Sequence, residues 1–494
     1  MSSGIAIRTR ILAALGQPEA LLTLARKQSG PGASTDAIER IAAAARAGLP
    51  DAQTQLGRCY LHGQGLPRNL GEARHWLERA AGAGDAGARI ELASLALQGI
   101  SGPYERGPFA QTVAAEPDRH LAADLARRAA ETGSAEAQAL LAYILNQAPE
   151  MAETPDEADT LYRQAAEAGW PLGQLGHAMA LLKQGTSEST REASVFLTQA
   201  AGSGLPTASF MLGALAESGV AGDVDLATAA GHYRAGAEHN HTGSKTRLGL
   251  ALLNGRGAKR NTEEAETWLR RAANDGDAIA AAQLGDFFAS PQRGSPNPAE
   301  AAAWYRRAAG LGHAGSARAL ARALSAGAEG APHAPEIAGF LQQAIEGGEA
   351  AAWSDIAAAF ADPGADRAEW RVWFNRMLRE GRAEAGLHGG ILAHTDPGGP
   401  EGEKLARRLY LRAASLGSIE GMAAAAEMLL NGRGGSADRD LAVALFAFAA
   451  KRNHAGANFA LGILASGDPD RALIHFQRAA ALGHVKAAHI LEAA

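Results

Sequence analysis

Thirteen turn positions set the frame of this chain: Gly48, Gly84, Gly133, Gly169, Gly204, Asn240, Gly276, Gly312, Gly348, Gly381, Gly417, Asn453 and Gly483. Successive spacings are 36, 49, 36, 35, 36, 36, 36, 36, 33, 36, 36 and 30 residues, so eight of the twelve share one period. A period of roughly 20–50 residues marks an array of stacked supersecondary units rather than a set of unrelated domains. Both non-glycine members are Asn, the residue that best tolerates a left-handed backbone after Gly, as a helix C-terminal turn requires.

Each unit reads as two helices. Helix A follows the turn, often opening at Asp, Pro, Ser or Thr, and nine residues past each of the first twelve turns stand only Gly or Ala, among them Gly57, Ala93, Gly213, Gly285 and Gly390. Glycine weakens a helix interior by roughly 0.5–1 kcal/mol relative to Ala, so its recurrence predicts a neighbouring helix too close for a larger side chain. Helix B carries apolar residues at helical spacing, as in Ala73, Trp76, Leu77, Ala80 and Ala81, and a large pair recurs as Trp268 with Leu269, Trp304 with Tyr305, Phe340 with Leu341, and Trp373 with Phe374. These aromatics are read as core, because a hairpin of this length must bury one face on its neighbours. Aromatics amount to only 5% while Gly reaches 59 of 494, which suits helices packed through small residues rather than a sheet. The class expected is all-α.

The pattern A-x-A-Q-x-x-L-G-x-x-Y-x-x-G-x-G followed by A-x-x-W-[LY]-x-[RK]-A-A-x-x-G-[HD], best seen in residues 52–85 and 278–313, resembles the Sel-1-like repeat, a relative of the tetratricopeptide repeat. The resemblance implies an αα-hairpin solenoid, a right-handed superhelix of about twelve 36-residue repeats. Residues 1–37 would be an N-terminal helical cap or flexible segment and 38–494 a continuous array, with an insertion at 99–119 and an irregular zone at 353–402. Members of this family are mostly adaptors that assemble other proteins, many of them bacterial and tied to envelope, exopolysaccharide or signalling systems. A secreted, cysteine-rich subgroup carries a disulfide in each repeat and a penicillin-binding or weak β-lactamase activity. With Cys59 as its one cysteine this chain departs from that subgroup, and the activity does not carry over.

Other candidate chemistry reduces to the repeat. The loop Gly255-Arg256-Gly257 with Lys259 and Arg260 looks like a phosphate loop, but it recurs at Gly63 with Gly65 and at Gly432 with Gly434, follows no strand, and lacks Ser or Thr after the Lys. His241, His313, His454 and His484 each follow a turn, where a polar side chain caps helix A; on separate repeats they are too far apart to share a metal. The arginines Arg79, Arg128, Arg271, Arg307, Arg376, Arg412 and Arg478, some doubled by Arg127, Arg270 and Arg306, complement helix dipoles in the last turn of helix B. With a net charge of −6, nucleic acid is disfavoured as a partner. No nucleophile, base and orienting acid recur together, so neither catalysis nor a cofactor is expected. The N-terminus lacks a signal-peptide core and no apolar run spans a bilayer, which predicts a cytoplasmic protein without membrane insertion.

The breaks in register carry the functional expectation, since insertions in solenoids escape the packing constraint. The Gly- and Pro-rich insertion bears Tyr104, Arg106 and Phe109, and the irregular zone bears Trp353 and Trp370; aromatic and Arg side chains in such places are expected to anchor one or more protein partners. The function predicted is a non-catalytic interaction scaffold. The alternative is a direct polysaccharide or peptidoglycan binder, or an enzyme, that uses these irregular loops; self-association through the terminal repeats stays open.

Overall fold

The computed structural model describes residues 12–13, 16–28, 35–100, 116–220, 222–291, 296–327, 334–360, 367–395 and 399–493. Within them lie 27 α-helices, one short 3-10 turn at Pro149–Met151, and no strand. The chain divides into two compact units, Met1–Asn261 and Thr262–Ala494. Each is a run of helical hairpins, so the protein is an all-α repeat solenoid. In the first unit a helix Pro18–Gln28 packs on Thr35–Arg46 ahead of the regular pairs.

The turn that sets the period closes helix B and opens helix A with one residue. Gly312 has φ 90° and its N–H donates to the carbonyl of Ala309, while His313 N–H reaches back to Ala308. This is the Schellman arrangement, and it recurs at Gly84, Gly276, Gly417 and Asn453. The pair before the turn supplies the accepting carbonyls; at Gly312 these are Ala308 and Ala309, both fully buried. The residue after the turn then caps helix A. Asp85, Asp277 and Ser418 accept the N–H three residues on, and His313 does the same through Nδ1, 3.1 Å from Ser316 N. Asn240 and Asn453 are the non-glycine residues at positive φ among those described, at 66° and 60°.

Consecutive helices pack as antiparallel neighbours, and the buried seams are built from Ala and Leu, as in Ala178, Leu181, Ala193, Leu197, Ala200, Ala208 and Leu212. Each buried Leu contributes about 1.5–3 kcal/mol, and the alanines set how closely the axes approach. The expected close approach at helix A is present, with a side chain as its cause. The ring of Tyr233 lies over Gly213, that of Tyr305 over Gly285 and that of Tyr410 over Gly390, each aromatic twenty residues downstream on helix B. In the G-x-G loops, a Cβ on Gly257 would overlap the Leu226 carbonyl and one on Gly434 the Glu403 carbonyl, so the loop sits on the start of the preceding helix B. Helices A of successive repeats also touch directly, as Ala86–Leu97 does Ala135–Gln147 and the latter does Pro171–Gln184.

Candidate functional site

The sequence-predicted contact residues part company. Tyr104, Arg106 and Phe109 lie outside the described residues. Trp353 and Trp370 are described, and the structure corrects the expectation for them: they are 5% and 2% exposed. Trp353 stacks on His388 at 5.9 Å between ring centroids and meets Trp373 at 5.5 Å; Trp370 sits edge-on to Phe374. The cause is register. Trp370 holds the place of Ala73, Ala122, Ala193, Ala265 and Ala301, and Trp353 that of Ala281, Ala317 and Met422, all buried. Large rings at these small-residue positions thicken the core and offer no free face to a partner.

Several of the arginines are occupied. Arg306 pairs with Glu336 at 3.0 Å, Arg127 with Glu157 at 3.2 Å, and Arg270 with Glu300, joining the C-terminal half of one helix B to the first turn of the next. Arg307 donates to the carbonyls of Ala273 and Asn274. Arg270 further lies 5.2 Å from the Trp304 ring and 5.3 Å from that of Phe288. The ladder stitches repeats together, beyond the dipole role expected of it, and each exposed pair is worth at most about 1 kcal/mol. Cys59 is buried, and burial pushes its thiol pKa up, away from the reactive thiolate.

What the first unit does present is a groove of about 530 Å³ on its helix A side, across Ala86–Leu97, Ala135–Gln147 and Pro171–Gln184. Its rim carries three exposed apolar side chains, Tyr143 at 51%, Leu172 at 52% and Met179 at 46%. Its floor is Tyr162, a buried helix B residue whose ring comes forward because Gly176 leaves room for it. Burial pushes the Tyr162 phenol up to about 12, so it stays protonated and is hydrogen-bonded with Asn146. Half-buried Trp170 closes one side, its buried indole Nε1 without a partner among the described residues. Of the polar lining groups, Glu136 stands toward one end, Asn146, Gln147 and Lys183 toward the other, and Ser94 level with Tyr143. The lining is mostly apolar, with charge toward either end.

Sequence reasoning missed these residues, although a signal existed. Ten residues past the turns, on helix A, other repeats carry Arg58, Ser94, Ala214, Leu250, Asp286, Arg322 and Glu427. Tyr143 and Met179 hold that place in two adjoining repeats. Ile391 and Ile463 are the other exposed apolar choices there, each isolated in sequence from the next. Among the described residues no helix is long and apolar enough to cross a membrane.

Comparison with known proteins agrees with this architecture. The sequence profile of the Sel1 repeat matches residues 50–85, 104–134, 244–277, 278–313, 393–418, 419–454 and 457–484. Over 253 residues the chain is 29% identical to the uncharacterized protein NMB1327 of Neisseria meningitidis serogroup B, a match covering 44% of this chain and 49% of that protein; the chain thus spans about half the length of this relative. Among solved structures it is similar to c5321, a protective antigen present in uropathogenic Escherichia coli strains and displaying an SLR fold. The TM-score is 0.55 at 22% identity over 92% of this chain and 90% of that one. A Sel1 repeat protein from Oxalobacter formigenes matches with a TM-score of 0.45 at 22% identity over 67% and 92%. At such identities the likeness concerns fold alone. All seven profile matches end one residue past a turn, at Gly84, Gly133, Gly276, Gly312, Gly417, Asn453 and Gly483. The chain thus carries seven Sel1 repeats on its helical-hairpin register.

Proposed function

We propose that this protein is a non-catalytic interaction scaffold and that the groove of Tyr143, Tyr162, Trp170, Leu172 and Met179 holds a protein partner. Sel1-repeat proteins typically act through protein–protein interaction, which supports the general reading. The observation that carries it here is the groove itself. Three large apolar side chains stay exposed together, around an aromatic floor. A cluster of this kind is what a binding hot spot needs: aromatic anchors in a concave site with polar groups at the margin. Bacterial relatives support a bacterial setting, and service to an envelope, exopolysaccharide or signalling assembly in the cytoplasm is the finer form of the proposal. The Gly- and Pro-rich insertion, with Tyr104, Arg106 and Phe109, is proposed as a second contact element.

The test is affinity capture from an extract of the source organism with the full chain, its Tyr143→Glu/Met179→Glu double variant, and an Ala303→Glu variant changed on an exposed helix B position. Proteins held by the wild type and by Ala303→Glu but released by the double variant are the expected result. Equal recovery by all three chains would sink the groove assignment.

A further inference from the structure

The groove is polar at its two ends and in opposite senses. Glu136 lies in the first turn of Ala135–Gln147, and Gln147 ends the same helix eleven residues on, about 16 Å along its axis at 1.5 Å per residue. Lys183 occupies, in the next repeat, the register position of Gln147, while Leu172 occupies that of Glu136. One end of the groove therefore presents a carboxylate with Leu172 beside it and the other an ammonium, with Tyr143 and Met179 between them.

Among the described residues Glu136 and Lys183 have no ion pair, whereas the nearby Arg58 is engaged by Glu91 at 2.7 Å. Burial raises the Glu136 pKa; Arg58 lowers it only in part and Glu91 opposes that. A carboxylate so placed gains from a cation brought by a ligand, since charge-assisted pairs strengthen where water is displaced.

We infer that the groove takes an extended peptide segment of about five residues with a basic side chain toward Glu136, an acidic side chain or C-terminal carboxylate toward Lys183, and apolar side chains between. At about 3.3 Å per residue, five residues cover the 16 Å span. This rests on reading the groove as a protein-binding site and fixes the direction and chemistry of what enters it.

The test is a phage-displayed random heptapeptide library panned on the full chain, followed by fluorescence anisotropy of selected, labelled peptides on wild type, Glu136→Lys, Lys183→Glu and Tyr143→Glu, each checked for native helicity. Selected peptides are expected to carry Lys or Arg and Asp or Glu about four residues apart with apolar residues between. Glu136→Lys should weaken them at least about tenfold, the scale of one good charge pair, and panning on that variant should replace the basic residue by an acidic one. Peptides that lose binding on Tyr143→Glu yet carry no charge pattern, or bind Glu136→Lys as tightly as wild type, overturn the bipolar assignment and leave the groove reading standing. Peptides indifferent to Tyr143→Glu, or no peptide enriched at all, overturn both.

Discussion

The ring of Tyr233 fills the space in which a side chain on Gly213 would stand: a Cβ there would lie 2.6 Å from the ring, and the phenol beyond it donates a 2.6 Å hydrogen bond to Glu217. Glycine in the middle of helix A is therefore the receptor for an aromatic from helix B. Gly213→Ala should lower stability by about 1–2 kcal/mol, because overpacking outweighs the gain in helix propensity. Gly231, exposed in the facing helix with open space around it, should respond oppositely, Gly231→Ala gaining about 0.5–1 kcal/mol. Urea midpoints of the two variants measure the contrast, and equal shifts would disprove the contact's role.

Turn chemistry is separable from packing at Asn453, where φ is 60°. Asn453→Gly should stay within a few tenths of a kcal/mol of wild type, while Asn453→Ala should lose about 1 kcal/mol through the left-handed backbone alone. Thermal melts of both variants decide it; an Ala variant as stable as the Gly one would remove the argument.

Acid should loosen the fold through its histidines. Burial is the main cause that depresses His177, His232, His241, His388 and His475 below the ordinary imidazole value, with Lys245 adding to the effect at His241. Below the unfolded value of about 6.5 the unfolded chain binds more protons, so this stability is full above that pH and is lost as pH falls through the depressed folded values. His241 also caps helix A through Nδ1, 3.1 Å from Ser244 N, a lone pair that protonation removes. His241→Asp, which installs the cap found at Asp85 and Asp277, should show a smaller drop in Tm between about pH 7.5 and about pH 5.5 than wild type. The same drop in both would exclude His241 from the effect.

Burial and exposure make opposite predictions for two aromatics. Trp353→Ala should cost about 3–5 kcal/mol, as loss of a buried indole does. Tyr143→Glu, on a half-exposed residue, should change stability by less than about 0.5 kcal/mol while abolishing partner capture. Denaturant titration beside the capture assay distinguishes them, and a strongly destabilised Tyr143 variant would place that ring in the core.

Period, helix pairing and the turn were legible in the residues, because they depend on local rules: positive φ at Gly and Asn, caps at Asp, Ser and His, and small residues ahead of each turn. The resemblance to the Sel1 repeat followed from the same pattern. The candidate site was not legible in this way. An aromatic read as a loop anchor, Trp353 or Trp370, occupies a core register position, and the doubled arginines, read as answering their own helix ends, also bridge to the next repeat.

The sequence by itself determined that this chain is a stack of helical hairpins, since a 36-residue register of turns and small residues admits no sheet and few alternatives. Only the tertiary structure decided which side chains remain outside the stack. Exposure belongs to packing between repeats, and neighbours distant in sequence set it: Gly176 admits the Tyr162 ring, and adjoining helices bring Tyr143, Leu172 and Met179 around it.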